Sequence, residues 1–516
     1  MRQAGATASE HADLASLASG GRTNFYGFLL RLAARIPFLF VAGRYYGAEQ
    51  LGRFAYAIII VEFAAQLATL GMKRGLAEQL TIAKRPHVHV VWDGMLAAGI
   101  ASAVAAAVLI AFPQAMFPNS RINGVERLLP LIVLAIAWSD VALAALAYRG
   151  DIAATVRARS VIEPWVISIA AWGLFFTLSR RDGLIIAYVL SMVAAMAASV
   201  MPMVKSYGWP RGWRPRPGRL LSQARANIPL AAADAIEWGS RRIDIAILGL
   251  FFSPAIVGVY YVAQQVTSLP QKLKTSFDPI LGPVITRNLA AGNKAAVAAQ
   301  VRQVGFWILS AQAGVGLALG LTGEAVLGLV GGKFISGTAI LAFLLLAEVV
   351  AATAAVSESA LIYVARHRNL MISVFVFGVQ VALSVLFIVL LQQVQVPPAI
   401  AARIGLPGGA LPPAWAATGP AIALVLALGL ASILKSRLLA RLLGTPVSGW
   451  RWALVWAAVA AAIVGAGVTR TPEWMELLLG VPLILAVFGY VIWNRGFTED
   501  DRTLFRRTQR AAADPA

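Results

Sequence analysis

The chain has 516 residues, of which 59% are hydrophobic and 13% charged, and it carries a formal net charge of +20. So apolar a composition excludes a soluble enzyme and predicts an all-α, polytopic integral membrane protein, because long uninterrupted apolar runs cross a bilayer as helices. The chain has no cysteine and only four scattered histidines, which excludes disulfides, thiolate chemistry and a histidine metal cluster. We therefore expect no metal and no cofactor.

Fourteen apolar runs predict membrane-spanning helices of roughly 20 residues each. In chain order they are residues 23–42, 54–70, 90–112, 128–148, 160–178, 184–203, 228–251, 256–269, 304–321, 337–363, 370–391, 416–434, 452–468 and 477–493. The spans divide the chain into an N-terminal tail (1–22), a six-helix bundle (23–204), a basic Pro/Gly-rich linker (205–227), a second six-helix bundle (228–434), an additional helix pair (435–493) and a C-terminal tail (494–516).

The distribution of basic residues predicts the orientation of these helices. If the N-terminus is cytoplasmic, the cytoplasmic loops and tails hold 31 Lys and Arg residues, whereas the opposite loops hold 9. Because cytoplasmic loops carry the excess of Lys and Arg, this split favours fourteen spans in the cytoplasmic (inner) membrane with both termini cytoplasmic. The positive charge is then a topology signal, strengthened by attraction to anionic lipids, and it does not indicate nucleic-acid binding.

A weak internal repeat relates the two predicted bundles. A shift of 206 positions aligns residues 35–57 with residues 241–263, so that Arg35 meets Arg241 and Gly52 meets Gly258. Both segments have an arginine inside a span, aromatic residues at its exit and a glycine before the next helix. Six spans in each half give equivalent helices the same orientation, so the repeat is a parallel one.

Three segments resemble a known family. Residues 43–57, GRYYGAEQLGRFAYA, resemble the loop between the first two helices of Wzx-type polysaccharide flippases, which belong to the multidrug/oligosaccharidyl-lipid/polysaccharide (MOP) transporter superfamily. Residues 242–265, RIDIAILGLFFSPAIVGVYYVAQQ, resemble the seventh helix of the same group, and residues 327–347 resemble its ninth-to-tenth helix connection. The last two predicted spans depart from the common twelve-helix form.

The resemblance implies two six-helix bundles that face each other across a central cavity, here followed by two C-terminal helices. It also implies a non-enzymatic flippase that moves a polyprenyl-diphosphate-linked oligosaccharide repeat unit across the cytoplasmic membrane. Such a flippase serves cell-surface polysaccharide biosynthesis, whether of lipopolysaccharide O-antigen, capsule or exopolysaccharide. The implied partners are the lipid-linked oligosaccharide, membrane lipids and, as a further candidate, polysaccharide polymerase or export machinery, with no nucleic acid.

The seventh predicted span carries charges within the segment EWGSRRIDIAILGLFF, residues 237–252. An ionisable side chain at a helix centre costs about 2.5–3.5 kcal/mol on insertion scales, so such residues rarely face lipid. Spacings of three and four residues place most of these charges on one helix face. This predicted stripe comprises Asp234, Glu237, Arg241 and Asp244, and Arg242 lies about 100° away from it around the helix.

The first predicted span has a similar polar face, formed by Asn24, Arg31 and Arg35 at spacings of seven and four. If the two spans are equivalent, Arg31, Arg35, Arg241 and Arg242 belong to one cavity. A guanidinium binds phosphate through parallel hydrogen bonds and stays protonated, so we interpret these four arginines as a diphosphate site. The alternative is that the arginines form internal ion pairs with neighbouring carboxylates and only hold helices together.

Further polar side chains within the spans are candidates for ion coupling or for contacts in the cavity. The full set is Asn24, Glu62, Asp140, Asp234, Glu237, Asp244, Gln264, Glu348 and Glu358. Asp140 and Glu348 lie well inside their spans, where a carboxylate can take part in proton exchange, and pairing with an arginine is at least an equal alternative. Gln264 is a candidate either for hydrogen bonds to sugar hydroxyls or for ordinary interhelical hydrogen bonding.

Two other functions remain open. A cation-coupled exporter of drugs or metabolites would favour a negatively charged cavity, which the four arginines oppose. A membrane polymerase or ligase of glycan chains would need catalytic groups in an outer loop, yet the longest such loop, residues 392–415, offers Arg403 and no acid, His, Ser or Thr. No G-x-x-x-x-G-K-[ST] loop occurs, so any transport draws on an ion gradient, the membrane potential or the substrate gradient.

Overall fold

The computed structural model describes residues 36–118, 122, 125–177, 181–275, 285, 288–289, 291–395 and 411–498, without the side chains of residues 233, 237 and 272–275. Within these ranges the elements are helices, and no β-strand is formed. The contacts of the chain divide it into two compact units, Met1–Tyr261 and Val262–Ala516.

The first unit is built from long apolar helices. Residues 36–41 are helical and continue into a π-helical turn, Ala42–Tyr46. The helices that follow are α1 Gly47–Ala68, α2 Met72–Ile82, α3 His87–Ala111, α4 Ile132–Tyr148, α5 Glu163–Thr177, α6 Gly183–Tyr207, α7 Pro217–Ser240 and α8 Ile243–Phe251. A short helix, Ile152–Thr155, and a π-helical segment, Val156–Ile162, lead into α5. Helix α9, Pro254–Thr275, begins in this unit.

Glycines allow α2 and α7 to approach closely. Gly71 separates α1 from α2 with a φ of +68°, a backbone conformation that favours glycine. A Cβ atom at Gly71 would lie 2.7 Å from the carbonyl oxygen of Asn227 on α7, and a Cβ at Gly75 would overlap the Asn227 side chain. Any larger residue at these positions would therefore push α7 away from α2.

A buried ion cluster joins three connections of the first unit. Arg53, at the start of α1, forms an ion pair with Glu126, which lies in a 3-10 segment, Val125–Leu131. Arg181, just before α6, reaches the same carboxylate at 3.6 Å. The predicted topology places these three residues in loops on one side of the membrane, and in the structure they contact one another.

The second unit contains the remaining helices. They are α10 Lys294–Leu321, α11 Gly323–Val330, α12 Thr338–Val364, α13 Arg366–Gln393, α14 Gly419–Leu443, α15 Ala453–Val468 and α16 Val481–Val491. A 3-10 segment, Gly332–Gly337, connects α11 to α12, and π-helical segments, Glu476–Gly480 and Ile492–Gly496, flank α16. The core of this unit joins α10, α12, α14, α15 and α16.

The last helix pair packs into that core against α10. The Phe488 ring of α16 covers Gly314 of α10 so closely that a Cβ on the glycine would lie 2.9 Å from the ring. Gly465 of α15 lies against Leu321 in the same way, with its Cβ position 3.2 Å from Leu321 Cγ. Because small residues let helix backbones approach within a membrane, α15 and α16 form an integral part of the second unit.

Ten helical segments of the described chain are long and apolar enough to cross a membrane, and the shorter Ala453–Val468 is also apolar. Each predicted span from the second to the fourteenth coincides with helical residues, whereas most of the first, 23–42, lies outside the described residues. The predicted all-helical, multi-pass membrane fold is therefore confirmed, and the exact number of fourteen spans stays a prediction.

The seventh predicted span differs from the expected continuous helix. It is interrupted at Arg241 and Arg242, where α7 ends and α8 begins. Gly239 and Ser240 precede the interruption, and both are weaker helix formers than alanine. The Ser240 hydroxyl also donates a hydrogen bond to the carbonyl of Ile236 at 2.8 Å, a contact that commonly bends helices. The charged stripe predicted on one helix is therefore divided between two helices.

Candidate functional site

The interruption between α7 and α8 places two arginines at helix ends inside an apolar segment. Arg241 follows the last residue of α7 and has an exposed side chain, and Arg242 precedes the first residue of α8. Membrane proteins tolerate an interrupted helix where it lines protein or a polar cavity. The two guanidinium groups therefore occupy a position at which a buried anion could be bound.

Arg242 is held by a polar network on α1 and α6. Its Nη1 donates to Glu62 Oε2 at 2.7 Å, and the Tyr188 hydroxyl donates to Glu62 Oε1 at 2.8 Å. The Arg242 guanidinium also lies 5.2 Å from the centre of the Trp238 ring, within range of a cation–π interaction. The sequence predicts Arg242 outside the stripe and Glu62 as a polar residue of the second span, and the structure brings the two together.

The other two described members of the stripe face different neighbours. Asp234 is buried and accepts from Arg74 Nε of α2 at 2.8 Å. Asp244 is buried on α8 and accepts a 2.7 Å hydrogen bond from the hydroxyl of the fully buried Tyr260. The two carboxylates thus stabilise separate helix contacts, α7 with α2 and α8 with α9, because the turn at Arg241 and Arg242 separates their helices.

A second, half-buried ion cluster surrounds Arg159. This arginine lies in the π-helical segment before α5 and donates to Asp140 of α4 and, at 2.9 Å, to Glu163 of α5. Arg159 falls just outside the fifth predicted span, in a predicted cytoplasmic loop, so the sequence did not identify it as the partner of Asp140. The signal that could have found it is the i,i+4 spacing of Arg159 and Glu163, which is typical of a helical ion pair.

The candidates of the second unit also have partners. Glu348 of α12 is buried and accepts from the Gln271 amide of α9 at 3.2 Å. Glu358, near the end of α12, pairs with Lys435 of α14 at 2.9 Å, and the Lys435 side chain is only 6% exposed. Gln264 is half-buried on α9. The sequence analysis assigns Lys435 to a loop, whereas the structure buries it within a helix.

Part of the predicted site lies outside the described residues. Asn24, Arg31 and Arg35 fall in the segment 1–35, and the side chain of Glu237 is likewise not described. The structure therefore pairs Arg242 with Glu62 and leaves Arg241 next to Arg242 in the chain, and the participation of Arg31 and Arg35 in the same site stays a prediction. Within the described ranges, no group of three or more His, Asp or Glu side chains has the arrangement of a metal site.

The family model that matches this chain covers residues 43–310, just over half of its length, and describes a polysaccharide biosynthesis protein. The chain belongs to this family of polysaccharide biosynthesis proteins. The matched region includes Glu62, Asp140 and the interruption between α7 and α8. No curated protein sequence matches the chain significantly.

Solved membrane transporters share the fold of this polysaccharide biosynthesis protein. It is similar to the lipid II flippase MurJ in an inward closed conformation, with a TM-score of 0.68 and 11% identity over 92% of this chain and 99% of that chain. It is also similar to a multidrug resistance MATE family transporter of the MOP superfamily in its inward-facing conformation, with a TM-score of 0.59 and 15% identity over 81% of this chain and 95% of that chain.

The outward-facing conformation of a MATE family transporter gives a similar result, with a TM-score of 0.55 and 16% identity over 83% of this chain and 96% of that chain. At these identities the likeness shows the fold alone. The predicted relationship is thereby confirmed at two levels: the family is that of polysaccharide biosynthesis proteins, and the fold is that of MOP superfamily transporters.

The chemistry available to this polysaccharide biosynthesis protein at the α7–α8 interruption is anion binding. The exposed Arg241 offers a planar guanidinium with N–H donors that can bind a phosphate through parallel hydrogen bonds. The adjacent Arg242 adds a second positive charge, which Glu62 partly neutralises and holds in position. Such a pair can attract a phosphate group while the anchored arginine keeps the local geometry fixed.

Proposed function

We propose that this protein is a flippase that moves a polyprenyl-diphosphate-linked oligosaccharide from the cytoplasmic to the outer leaflet of the cytoplasmic membrane. Family membership supports a role in polysaccharide biosynthesis, and the fold of MOP superfamily transporters supports translocation. The observation that carries the proposal is the placement of Arg241 and Arg242 at a helix interruption within an apolar span. The product pathway would be one of O-antigen, capsule or exopolysaccharide.

In this proposal Arg241 binds the diphosphate together with Arg31 and Arg35, and Arg242 contributes charge from its position beside Glu62. A diphosphate carries several negative charges on oxygens that match the fork of a guanidinium, so a cluster of arginines binds it better than it binds a neutral sugar. Transport follows when the site is exposed alternately to the two sides of the membrane. Both termini lie in the cytoplasm, and the polymerase or export machinery would receive the product outside.

The proposed function is non-enzymatic, because moving a lipid-linked sugar between leaflets breaks no covalent bond. Energy would come from an ion gradient, the membrane potential or removal of the product. The carboxylates at Glu62, Asp140 and Glu348 are the candidates for ion coupling, since each lies within an apolar helix and has a polar partner that could exchange with a cation.

The fold similarity to a MATE family transporter keeps a cation-coupled exporter as a second candidate function. Such a protein would bind cationic solutes, and two arginines at the interruption would repel them. A purified sample distinguishes the two, because a flippase site would bind a soluble short-chain polyprenyl diphosphate and an exporter site would bind cationic dyes.

The decisive experiment is deletion of the gene followed by analysis of the lipid-linked intermediates. Loss of the proposed flippase would leave complete repeat units on the cytoplasmic leaflet, protected in intact cells from glycosidases and reagents added outside. A polymerase or ligase would instead strand complete units on the outer leaflet, where those reagents reach them. Restoration of export by the wild-type gene serves as the control, and accumulation on the outer leaflet would overturn the proposal.

A further inference from the structure

The connection between α6 and α7 is held in place at several points, although its Pro/Gly-rich sequence predicts a linker. The Trp213 indole nitrogen donates to Asp93 Oδ1 of α3 at 2.8 Å, and Asp93 is 1% exposed. His89 lies 3.1 Å from the carbonyl oxygen of Arg211 through its Nε2 atom. The ring of Trp92 contacts those of Trp209 and Trp213, with centroids 5.1 Å and 6.2 Å apart.

The end of α6 is fixed as well. Arg149, which follows α4, donates to Ser206 Oγ at 3.0 Å, and its guanidinium lies 3.8 Å from the centre of the Tyr207 ring. The Tyr207 hydroxyl donates to the carbonyl oxygen of Ala145 at 2.7 Å. Residues 206–213 are therefore bound to α3 and α4 rather than free to move as a tether.

The fixed segment and the residues on either side of it carry a series of exposed basic side chains. The exposed basic side chains are Lys205, Arg211, Arg214, Arg216, Arg219 and Arg225, which we call the basic surface. No Asp or Glu occurs in residues 205–227, and no carboxylate among the described residues pairs with any member of the basic surface. Like charges that lie close together repel one another, so the binding of a negatively charged partner would be favourable here.

An apolar group accompanies the charges. Trp209 is 69% exposed although its ring edge contacts Trp92, and Leu221 in the first turns of α7 is 52% exposed. The segment also follows directly after α6, which is long and apolar enough to cross a membrane, so its start lies within a few residues of the bilayer surface. Tryptophan and arginine together are typical of residues at the level of lipid headgroups, where the ring enters the acyl boundary and the charge meets phosphates.

We infer that the basic surface binds anionic phospholipid headgroups of the leaflet it faces, with Trp209 inserted beside them. The contacts of Trp92, Asp93 and His89 keep the backbone of this segment in place. The charges of the basic surface are distributed along 21 residues and point to several monovalent headgroups rather than to one compact diphosphate. This lipid site is separate from the arginines at the α7–α8 interruption and does not depend on the proposed transport function.

The test uses the full-length protein with a reporter cysteine, Ser222→Cys, which is exposed and unique because the chain has no cysteine. An environment-sensitive dye on this cysteine is followed in nanodiscs of phosphatidylcholine that contain phosphatidylglycerol from zero to about 30%, a fraction in the range of natural anionic membranes. We expect a saturable dye response that high salt weakens, since ionic screening shortens the reach of these charges.

The charge-removal variant combines Arg211→Gln, Arg214→Gln, Arg216→Gln and Arg219→Gln. Each basic residue near an anionic surface strengthens attraction by about fivefold, so loss of four should remove most of the response. The matched control combines Arg366→Gln, Arg368→Gln, Arg437→Gln and Arg441→Gln, which changes the net charge equally at four other exposed arginines. It should retain the response.

Three outcomes would overturn the inference. The first is a dye that does not respond to phosphatidylglycerol in the otherwise wild-type chain. The second is an equal loss of response in the charge-removal variant and the control, which would show an effect of net charge alone. The third is a full response to inorganic diphosphate in pure phosphatidylcholine discs, which would assign the surface to a compact diphosphate. Normal elution and melting of each variant exclude unfolding as the cause.

Discussion

Gly52 of α1 and Gly258 of α9 touch each other backbone to backbone. A Cβ atom on Gly52 would lie 2.6 Å from the amide nitrogen of Gly258, and a Cβ on Gly258 would lie 3.0 Å from that of Gly52. These are the two glycines that the 206-residue repeat makes equivalent. A mutual contact between equivalent positions is what a two-fold relation between repeats produces, so the contact supports the weak sequence repeat.

Alanine at either glycine should separate α1 from α9. Real Cβ atoms do not approach other atoms so closely, and the obstructing atoms include the backbone of Pro254 and Ala48, which cannot rotate away. We expect Gly52→Ala and Gly258→Ala each to lower the stability by about 1–3 kcal/mol, as overpacking does, which thermal unfolding in detergent would measure. Gly173→Ala on α5 is the control, since no atom lies within 4 Å of its Cβ position; equal destabilisation of all three would contradict the close contact.

Removal of the Arg242 side chain should leave Glu62 without its ion-pair partner. We expect Arg242→Ala to destabilise the protein by about 1–3 kcal/mol, and Glu62→Gln to cost less because the amide still accepts the Tyr188 hydrogen bond. The double variant should be less destabilised than the sum of the two single variants, and thermal unfolding of all three measures that coupling. Strictly additive effects would show that the pair contributes nothing.

Substitution of Arg159 should destabilise the protein more than substitution of Arg242, because Arg159 forms ion pairs with two carboxylates. Arg159→Gln would leave Asp140 and Glu163 close together without a positive charge, at a cost of about 3–5 kcal/mol. Protein level in the membrane and thermal unfolding provide the measurement. Adding Asp140→Asn should restore part of the lost stability, since it removes one of the uncompensated charges; no rescue would argue against the cluster.

Arg241 should be required for transport and dispensable for folding. Its side chain is exposed, so Arg241→Ala is expected to keep the protein in the membrane at a normal level while export of polysaccharide is lost. Arg241→Lys should retain part of the activity, because it keeps the charge and loses the bidentate geometry. The exposed Arg470→Ala provides the control. Normal export with Arg31, Arg35 and Arg241 all replaced would refute the diphosphate site.

The predicted orientation can be tested with single cysteines, since the wild-type chain has none to remove. Ser222 lies in a segment predicted to be cytoplasmic and Ser336 in one predicted to be outside, and both side chains are exposed. A membrane-impermeant maleimide should label Ser336→Cys in intact cells and Ser222→Cys only in inverted vesicles. Labelling of both from one side would overturn the topology.

Much of the fold follows from the sequence because apolar length determines which segments can span a bilayer. The predicted spans from the second onward coincide with helices, since nothing in hydrocarbon competes with the helical hydrogen bonds. The interruption at Arg241 and Arg242 was not predicted, because hydropathy averages over many residues and a two-residue turn hardly changes that average. The local cause of the interruption is Gly239 followed by Ser240, and these two residues alone do not predict a break in a helix.

The site was only partly predictable because ion pairs depend on tertiary contacts. Periodicity identified Glu62, Asp140 and Asp244 as polar residues in spans, but their partners lie 180, 19 and 16 positions away in sequence. Arg159 and Lys435 were assigned to loops because long basic side chains near span ends usually reach water, whereas here Arg159 is half-buried and Lys435 buried, each beside a carboxylate. Apart from the i,i+4 spacing of Arg159 and Glu163, a single sequence contains no signal that would select these pairs.

The packing of Phe488 onto Gly314 has a consequence for biosynthesis. The two residues are 174 positions apart, and the absence of a side chain at Gly314 lets the Phe488 ring lie directly against α10. Helix α10 therefore lacks this packing partner while most of the second unit is translated. Packing on this face of α10 can be completed only after α16 has been synthesised, so we expect a nonsense mutation just before α16 to be as harmful as one far upstream.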